Sequence, residues 1–215
     1  MGALLIFIIG CKKEENSPVS QVTDFDDNVY STITIGTQTW IAENLKVTHY
    51  KDGSPITVVT SSTDLSTLTT GAYTWYNNNQ ATFKDTYGAL YNWYAVSTGN
   101  LCPAGWHVPS DAEWETLIDF LGGEAIAGGK LKEKGTSHWN IPNTAATNES
   151  GFTGLPGGYL FDNGTYYSLG NVGHWWSLTD SADHARDRYT YYQYNSVTRG
   201  TYSKKIFFSV RCLKD

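Results

Sequence analysis

The clearest alternation of hydrophobic and polar positions lies near the start of the chain. From residue 29 to residue 35, aliphatic side chains alternate with Tyr and Thr side chains, a pattern typical of a half-buried strand. Gly36-Thr37 then turns the chain into a second strand through Trp40 and Ile41. We predict that these residues form a β-hairpin.

A helical pattern begins at Ser110. Ser110 and Glu113 form a capping box, in which each side chain satisfies a free backbone N–H of the first helical turn. Gly122 marks the end of the pattern. Between them, the spacing of one helix face is kept by Trp114, Leu117, Ile118 and Leu121. The sequence therefore predicts a helix over residues 110–122 whose apolar face lies in the core.

The remaining segments are short and rich in turn residues. Residues 88–96 bring apolar and aromatic side chains close together and predict a short helix. Residues 50–86 are rich in Thr, Ser and Asn, and we interpret them as an extended insertion or binding loop. A hairpin is predicted around Asp162-Asn163-Gly164. Further strands are predicted at residues 175–176, 189–194 and 206–212.

The first residues resemble a targeting signal. The apolar run Ala3 to Ile9 precedes Gly10-Cys11, as in bacterial lipoprotein signals, where the cysteine is acylated and becomes the mature N-terminus. The run lacks a basic segment before it, and Ile8 stands where Leu is usual. The alternative interpretation is a buried strand with a core cysteine.

The residues after Cys11 favour the lipoprotein interpretation. Residues 12–16 are polar and mostly charged, and Pro18 follows, which is typical of a solvated tether. The run Lys12 to Glu15 is also similar to stretches that direct some lipoproteins to the outer cell surface. We predict a signal segment over 1–11, a flexible tether over 12–23 and a single domain over 24–215. The protein would be extracytoplasmic, anchored by lipid to the outer membrane and exposed at the surface.

Composition and charge narrow the class of protein. The chain has 215 residues, of which 14% are aromatic and 17% charged, with a net charge of −6. Many aromatic residues and glycines suit short strands joined by tight turns. The negative charge argues against a nucleic-acid partner, which needs clustered Lys and Arg. No apolar run is long enough to span a bilayer.

The cysteine count fits an exported protein. Of the 3 cysteines, lipidation of Cys11 leaves Cys102 and Cys212 as a pair in an oxidising compartment. A disulfide between them predicts Cα atoms about 4.4 to 6.8 Å apart. The alternative is two free buried thiols.

The sequence supports no catalytic residue, metal or cofactor. The five histidines show no metal-ligand spacing. Ser181, His184 and Asp187 lie near one another along the chain, but no nucleophile elbow accompanies them. Gly123 to Lys130 resembles a phosphate loop, but it follows a helix and has the wrong glycine spacing.

Aromatic residues are the remaining candidates for binding. Indole faces stack on sugar rings, and Asn side chains bind hydroxyls, so the candidate ligand-binding residues are Trp139, Trp175, Trp176, Asn148 and Asn171. Because adjacent strand residues point to opposite faces, only one of Trp175 and Trp176 is expected to enter the core. We expect a concave site bordered by residues 50–86 and 138–150, with at least one of the three indoles partly exposed. The alternative is that these rings fill the core.

Several segments resemble one known family. They occur in order along the chain, as IGTQTWIAENL at 35–45, YGALYNW at 87–93, CPAGWHVPS at 102–110, ATNESGF at 146–152 and FSVRC at 208–212. This series resembles the Fibrobacter succinogenes major paralogous domain family, which has lipoprotein and secreted members. The resemblance covers nearly all of residues 24–215.

A more distant resemblance suggests the fold. Residues 171–175 and the last strand are similar to the formylglycine-generating-enzyme branch of the C-type lectin-like fold. That likeness implies an α+β domain with twisted antiparallel strands, one or two helices and long irregular loops. The enzyme branch uses two cysteines near its end, and residues 189–205 contain none. The calcium-binding triplets of the lectin branch are also absent.

We therefore expect a non-catalytic cell-surface lipoprotein module that binds glycan or another surface ligand through loops and aromatics. The alternatives are a cryptic enzyme of the formylglycine or sulfoxide-synthase type and a purely structural surface scaffold. The expected partners are the membrane, through the lipid anchor, and a glycan or surface polymer. The sequence leaves the oligomeric state open.

Overall fold

The computed structural model describes residues 20–60 and 63–215 of the chain. The predicted signal segment 1–11, with Cys11, lies outside the described residues, as does most of the predicted tether. Gln21–Thr23, which we assigned to that tether, form a strand that pairs with residues 29–31. Part of the segment that we assigned to the tether is therefore a paired strand.

Short strands and four α-helices make up the described part of the chain. The strands are β1 Gln21–Thr23, β2 Val29–Ile35, β3 Gln38–Ile41, β4 Thr57–Val58, β5 Ala72–Thr74, β6 Leu90–Asn92, β7 Trp106–His107, β8 Tyr159–Leu160, β9 Tyr166–Tyr167, β10 Val172–Ser181, β11 His184–Tyr191, β12 Val197–Ser203, β13 Phe207–Phe208 and β14 Leu213–Lys214. The helices are α1 Gln80–Tyr87, α2 Trp93–Val96, α3 Asp111–Phe120 and α4 Glu124–Leu131, and short 3-10 turns cover Leu65–Thr67 and Tyr76–Asn78.

The strands form three sheets. One has the order β1-β2-β3-β14-β7, one has the order β4-β5-β6-β13-β8-β9, and the third is β10-β11-β12. Every pairing between these strands is antiparallel except that of β4 with β5. This arrangement confirms the predicted α+β class with mostly antiparallel strands. No helix in residues 20–60 or 63–215 is long and apolar enough to cross a membrane.

The locally encoded elements form as predicted. β2 and β3 pair as a hairpin whose turn places Gly36 at a φ of 62°, a conformation that glycine adopts without strain. The Ser110 and Glu113 side chains form both halves of the capping box on α3. Trp114 and Leu117 on this helix are buried.

Two segments differ from their predictions. Residues 50–86 are not one extended loop, because they contain β4, β5 and α1. Residues 88–96 are not one helix, since β6 pairs with β13 before α2 begins. The boundary is set by Asn92, whose side chain accepts a hydrogen bond from the Ala95 N–H and so caps α2.

The disulfide prediction is confirmed. Cys102 and Cys212 are bonded, with their Cα atoms 6.0 Å apart and a sequence separation of 110. The bond joins the segment before β7 to the segment before β14. A closed loop of this length stabilises the fold by about 4 to 5 kcal/mol in the chain-entropy model.

A buried arginine connects three distant segments. Arg211 is 1% exposed, and its Nε donates to the Asn44 Oδ1 at 2.8 Å. Its Nη atoms donate to the carbonyl oxygens of Ile41, Phe152 and Thr153 at 2.8 to 3.1 Å. Burial lowers the pKa of Arg211 to about 9, so the guanidinium is still charged at neutral pH. Its charge is solvated by carbonyl dipoles rather than by a carboxylate.

Asn44 completes this connection. Its Oδ1 also accepts from the Trp175 Nε1 at 2.9 Å, and its Nδ2 donates to the Tyr87 carbonyl oxygen at 2.8 Å. Both the oxygen and the nitrogen of the Asn44 side chain are therefore hydrogen-bonded inside the core. These bonds connect the segment after β3 to α1 and β10.

Arg211→Met is expected to lower the free energy of unfolding by more than about 3 kcal/mol, because it leaves several buried acceptors without a donor. Arg211→Lys keeps the charge but reaches fewer acceptors, so it should lie between Met and wild type. Urea denaturation measures both effects. Arg186→Met, at a partly exposed arginine of β11, is the matched control and should change stability by less than about 1 kcal/mol. A loss below 1 kcal/mol for Arg211→Met would contradict the prediction.

Candidate functional site

The expectation of an exposed indole is wrong. Trp139 and Trp175 are each 1% exposed and Trp176 is 0% exposed. None of the three lines any of four surface concavities of 280 to 470 Å³ in the described part of the chain. The ligand site cannot be built on these rings in this structure.

Trp175 and Trp176 point to opposite faces of β10, as expected, but both faces are covered. Trp175 packs near Trp114 of α3, with ring centroids 6.4 Å apart. Trp176 packs on Phe208 of β13 at 4.5 Å and donates its Nε1–H to the Tyr91 carbonyl oxygen at 2.8 Å. The sheet β10-β11-β12 therefore has core on both sides of this strand.

The other predicted residues mostly serve the fold. The Trp139 Nε1 donates to the Gly154 carbonyl oxygen at 3.0 Å. The Asn148 side chain bonds the Thr153 N–H and hydroxyl at 2.8 and 2.9 Å, which fixes a turn. The Asn171 Oδ1 accepts from the Asn140 Nδ2 at 2.8 Å, and the Asn171 carbonyl oxygen accepts from the Tyr192 N–H at 2.9 Å.

A groove rich in tyrosine lies where β11 ends. It has a volume of about 460 Å³, and we call it the tyrosine groove. Its lining consists of Tyr189, Tyr191, Gln193, Tyr194, Ser196 and Thr198. None of these residues carries a charge at neutral pH. The hydroxyls of the three tyrosines form no hydrogen bond with residues 20–60 or 63–215, so they are free for a ligand.

Strand geometry places the groove on one face of the sheet. Tyr189 and Tyr191 are two residues apart in β11 and so share a face, and Thr198 of β12 is directly opposite Tyr189. The chain then turns back, with a hydrogen bond of 3.1 Å from the Tyr194 N–H to the Tyr191 carbonyl oxygen. This turn brings the Tyr191 and Tyr194 rings to 5.8 Å, tilted by 30°.

A buried lysine holds this turn in place. Lys132 is 0% exposed, and its Nζ donates to the carbonyl oxygens of Tyr194 at 2.8 Å, Thr144 at 3.0 Å and Tyr191 at 3.3 Å. Burial lowers the pKa of Lys132 to about 8. Two of its three acceptors belong to residues that line the groove, so the ammonium connects α4 to the groove wall.

The glycines before Lys132 allow this close approach. A Cβ at Gly128 would collide with the Ser196 carbonyl oxygen, and one at Gly129 would collide with the Asn195 side chain. The Gly129 N–H donates to the Asn195 carbonyl oxygen at 3.0 Å. These glycines of the segment that resembled a phosphate loop therefore serve helix-to-loop packing.

A buried histidine–aspartate pair lies next to Tyr189 of the groove. The His174 Nδ1 lies 2.6 Å from the Asp187 Oδ2, and the two residues are 5% and 0% exposed. Burial raises the pKa of Asp187, and the hydrogen bond and charge of His174 oppose that rise. His174 stacks on Phe208 at 4.3 Å and contacts the Tyr189 ring at 4.9 Å. Asp187 pairs with this histidine and not with its sequence neighbour His184.

Two further observations bear on the chemistry of the surface. In the described ranges, no three His, Cys, Asp or Glu side chains cluster as metal ligands would. A second concavity, of about 340 Å³, is lined partly by Val59, Leu65, Asn77 and Asn78. Part of the predicted loop 50–86 therefore does border a pocket, although no indole accompanies it.

Sequence reasoning found only part of the tyrosine groove. The run of tyrosines at 189–194 marks a strand, and the period-2 spacing of Tyr189 and Tyr191 places them on one face. The turn at Tyr194 carried no such signal, because its position depends on Lys132, about sixty residues earlier in the chain.

The described residues form an α+β domain cross-linked by the Cys102–Cys212 disulfide. An uncharged aromatic groove lies at the end of its three-stranded sheet. The sequence matches the Fibrobacter succinogenes major domain over residues 33–214, and the chain belongs to this family. No curated protein and no solved structure matches it.

The pH dependence of stability tests the burial of Lys132. Its folded pKa of about 8 is below the ordinary value of 10.5. Between these values the unfolded chain binds more protons than the folded chain, so this group makes the protein more stable as pH rises. The free energy of unfolding of wild type, minus that of Lys132→Met, should therefore increase from pH 7 to pH 10 in urea titrations.

The same pair of proteins tests the connection to the groove. Hydrogen exchange of the amides at 191–194 should be faster in Lys132→Met than in wild type, while exchange in α3 stays the same. A difference in stability that does not change with pH, together with unchanged exchange at 191–194, would contradict this role of Lys132.

Proposed function

We propose that this protein is a non-catalytic module, displayed at the outer cell surface, that binds a glycan or a similar surface polymer in the tyrosine groove. The observation that carries the proposal is the groove itself, in which three tyrosines, Gln193, Ser196 and Thr198 line one open face. With the indoles buried, the tyrosines take the place that we assigned to Trp139, Trp175 and Trp176.

The chemistry of the lining suits a sugar. A tyrosine ring offers an apolar face for the C–H side of a pyranose and a hydroxyl for its polar edge. It does so at low conformational cost, because the side chain has few rotatable bonds. The amide of Gln193 and the hydroxyls of Ser196 and Thr198 both donate and accept hydrogen bonds, as sugar hydroxyls require.

The alternatives draw on other observations. Burial of all three indoles favours the structural scaffold, since those rings now act as core. For the cryptic enzyme, the sequence offers only Cys102 and Cys212 within the domain, and they are bonded to each other. The free tyrosine hydroxyls favour the binding module over the scaffold, because a scaffold gives no reason for an uncharged aromatic groove.

We also propose that the fold is of the C-type lectin-like type seen in formylglycine-generating enzymes. Support comes from α3, which packs on β10, and from the disulfide between the segment before that helix and the end of the chain. An experimental structure of the domain, compared with members of that fold, tests this proposal.

A glycan array tests binding at the groove. Wild type, probed with and without calcium, is expected to retain a defined set of glycans. Tyr191→Ala and Tyr194→Ala should each weaken binding about tenfold, the loss of one well-placed aromatic contact. Phe120→Ala is the matched control, because Phe120 is 63% exposed on α3 and is not part of the groove. It should bind as wild type does.

Two results would contradict the glycan proposal. One is a wild-type array without any retained glycan, which would favour the scaffold. The other is binding that neither tyrosine variant weakens, which would place the ligand elsewhere.

We further propose that Cys11 carries the lipid that anchors the protein to the outer membrane. The apolar run before Gly10-Cys11 and the polar residues after it support this. The disulfide in the domain suits an oxidising compartment outside the cytoplasm.

Metabolic labelling with a palmitate analogue tests the anchor. In cells that express the protein with any native upstream leader, wild type should be labelled and found in the membrane fraction. Cys11→Ala should lose the label and become soluble, while Cys102→Ala, which removes one half of the disulfide, should keep the label because Cys11 is still present. Equal labelling of Cys11→Ala and wild type would refute the assignment.

A further inference from the structure

The tyrosine groove is one end of a longer aromatic surface. At the other end is the hairpin of β8 and β9, where the Tyr159 and Tyr167 rings lie 5.6 Å apart and are tilted by 32°. Phe161 follows two residues after Tyr159, and its ring lies 6.3 Å from that of Tyr167. Phe161 and Tyr167 are 36% and 39% exposed. We call this set, together with the groove, the aromatic strip.

His174 is buried, at 5% exposed, and contacts one ring from each end of the strip. Its ring lies 5.4 Å from that of Tyr159 on the hairpin and 4.9 Å from that of Tyr189 in the groove. The rings of the hairpin are therefore linked to those of the groove through this buried imidazole, with centroids 4.9 to 6.3 Å apart at each step.

The junction is rigid. Asp187 fixes His174 from one side at 2.6 Å, and Phe208 stacks on the imidazole at 4.3 Å with the ring planes only 6° apart. Tyr202 packs its edge against the same ring at 5.5 Å. A surface fixed in this way does not need to be ordered when a ligand binds, so less entropy is lost.

The charge of the strip restricts its ligand. The groove lining is uncharged, and Asp187 is covered. At the hairpin end, Asp162 lines the same concavity as Lys204 and Lys205, so charges of both signs lie there. The lining of the groove itself offers a charged polymer no ion-pair partner, which favours an uncharged one.

We propose that the aromatic strip binds a linear, uncharged glycan of several sugars laid along it, rather than a single terminal sugar. This inference rests on the proposed function and names its ligand class. The groove would hold one end of the glycan chain, and the rings of Tyr159, Phe161 and Tyr167 would hold the other. A protein segment on the same rings is the competing occupant.

Chain length is the test. The full chain is titrated by calorimetry with two uncharged linear series, cello-oligosaccharides and xylo-oligosaccharides of two to six units. In at least one series, affinity should rise about tenfold or more from two to six units, because longer chains cover more rings.

Variants separate the two ends of the strip. Tyr167→Ala should weaken binding of the six-unit chain about fivefold to tenfold and leave the two-unit chain unchanged. Tyr194→Ala should weaken both. Tyr167→Phe keeps the ring and should bind as wild type does, and Phe120→Ala serves again as the control. Thermal unfolding of each variant confirms that the domain is folded.

Each failure has its own meaning. Equal affinity for two and six units, or an unaffected six-unit chain in Tyr167→Ala, overturns the strip and leaves a groove that binds a short sugar. Binding only of acidic or branched glycans on the array, with neither series bound, overturns the ligand class but not the proposed function. If no glycan binds, and a protein segment binds to wild type but not to the tyrosine variants, both proposals fail.

Discussion

The fold depends on a buried guanidinium that has no carboxylate partner. Arg211 can be charged inside the protein only because carbonyl oxygens from the first hairpin and from residues 152–153 surround it, together with the amide of Asn44. These acceptors come from segments more than a hundred residues apart, so all of them must be in place at once. The disulfide at Cys212, the next residue, restrains the same part of the chain.

The same physical solution appears a second time beside the candidate site. Lys132, like Arg211, is a buried cation solvated by main-chain carbonyls, and burial lowers the pKa of both. Carbonyl dipoles are fixed by the backbone, so each cation constrains the loops that surround it. Arg211 organises the centre of the domain, whereas Lys132 organises the turn that carries Tyr191 and Tyr194. The turn that forms part of the candidate binding surface is therefore held by the buried Lys132 ammonium, although the residues that line the groove are uncharged.

Both faces of β10 are covered, so Trp175 and Trp176 are buried and the candidate binding surface lies elsewhere on the sheet. Trp175 and Trp176 connect the sheet to α3 on one side and to β13 on the other. Further along, the sheet face that carries His174 is no longer covered by core residues. Tyrosines lie there, and their hydroxyls can contact water. The arrangement gives a rigid sheet that is packed at one end and open at the other. That combination supports the proposed recognition of a polymer by stacking.

The sequence by itself determined the features that depend on near neighbours. The β2–β3 hairpin and the capping box of α3 follow from residues a few positions apart. The disulfide was predicted from the cysteine count and an expected oxidising compartment, with two free thiols as the alternative. The α+β class and the family also came from the sequence. Only the tertiary structure decided that Trp175 and Trp176 are both buried, that residues 90–92 pair as a strand, and that Lys132 supports a tyrosine groove. Each of these depends on which distant element covers a given face, and alternation along one strand contains no information about that.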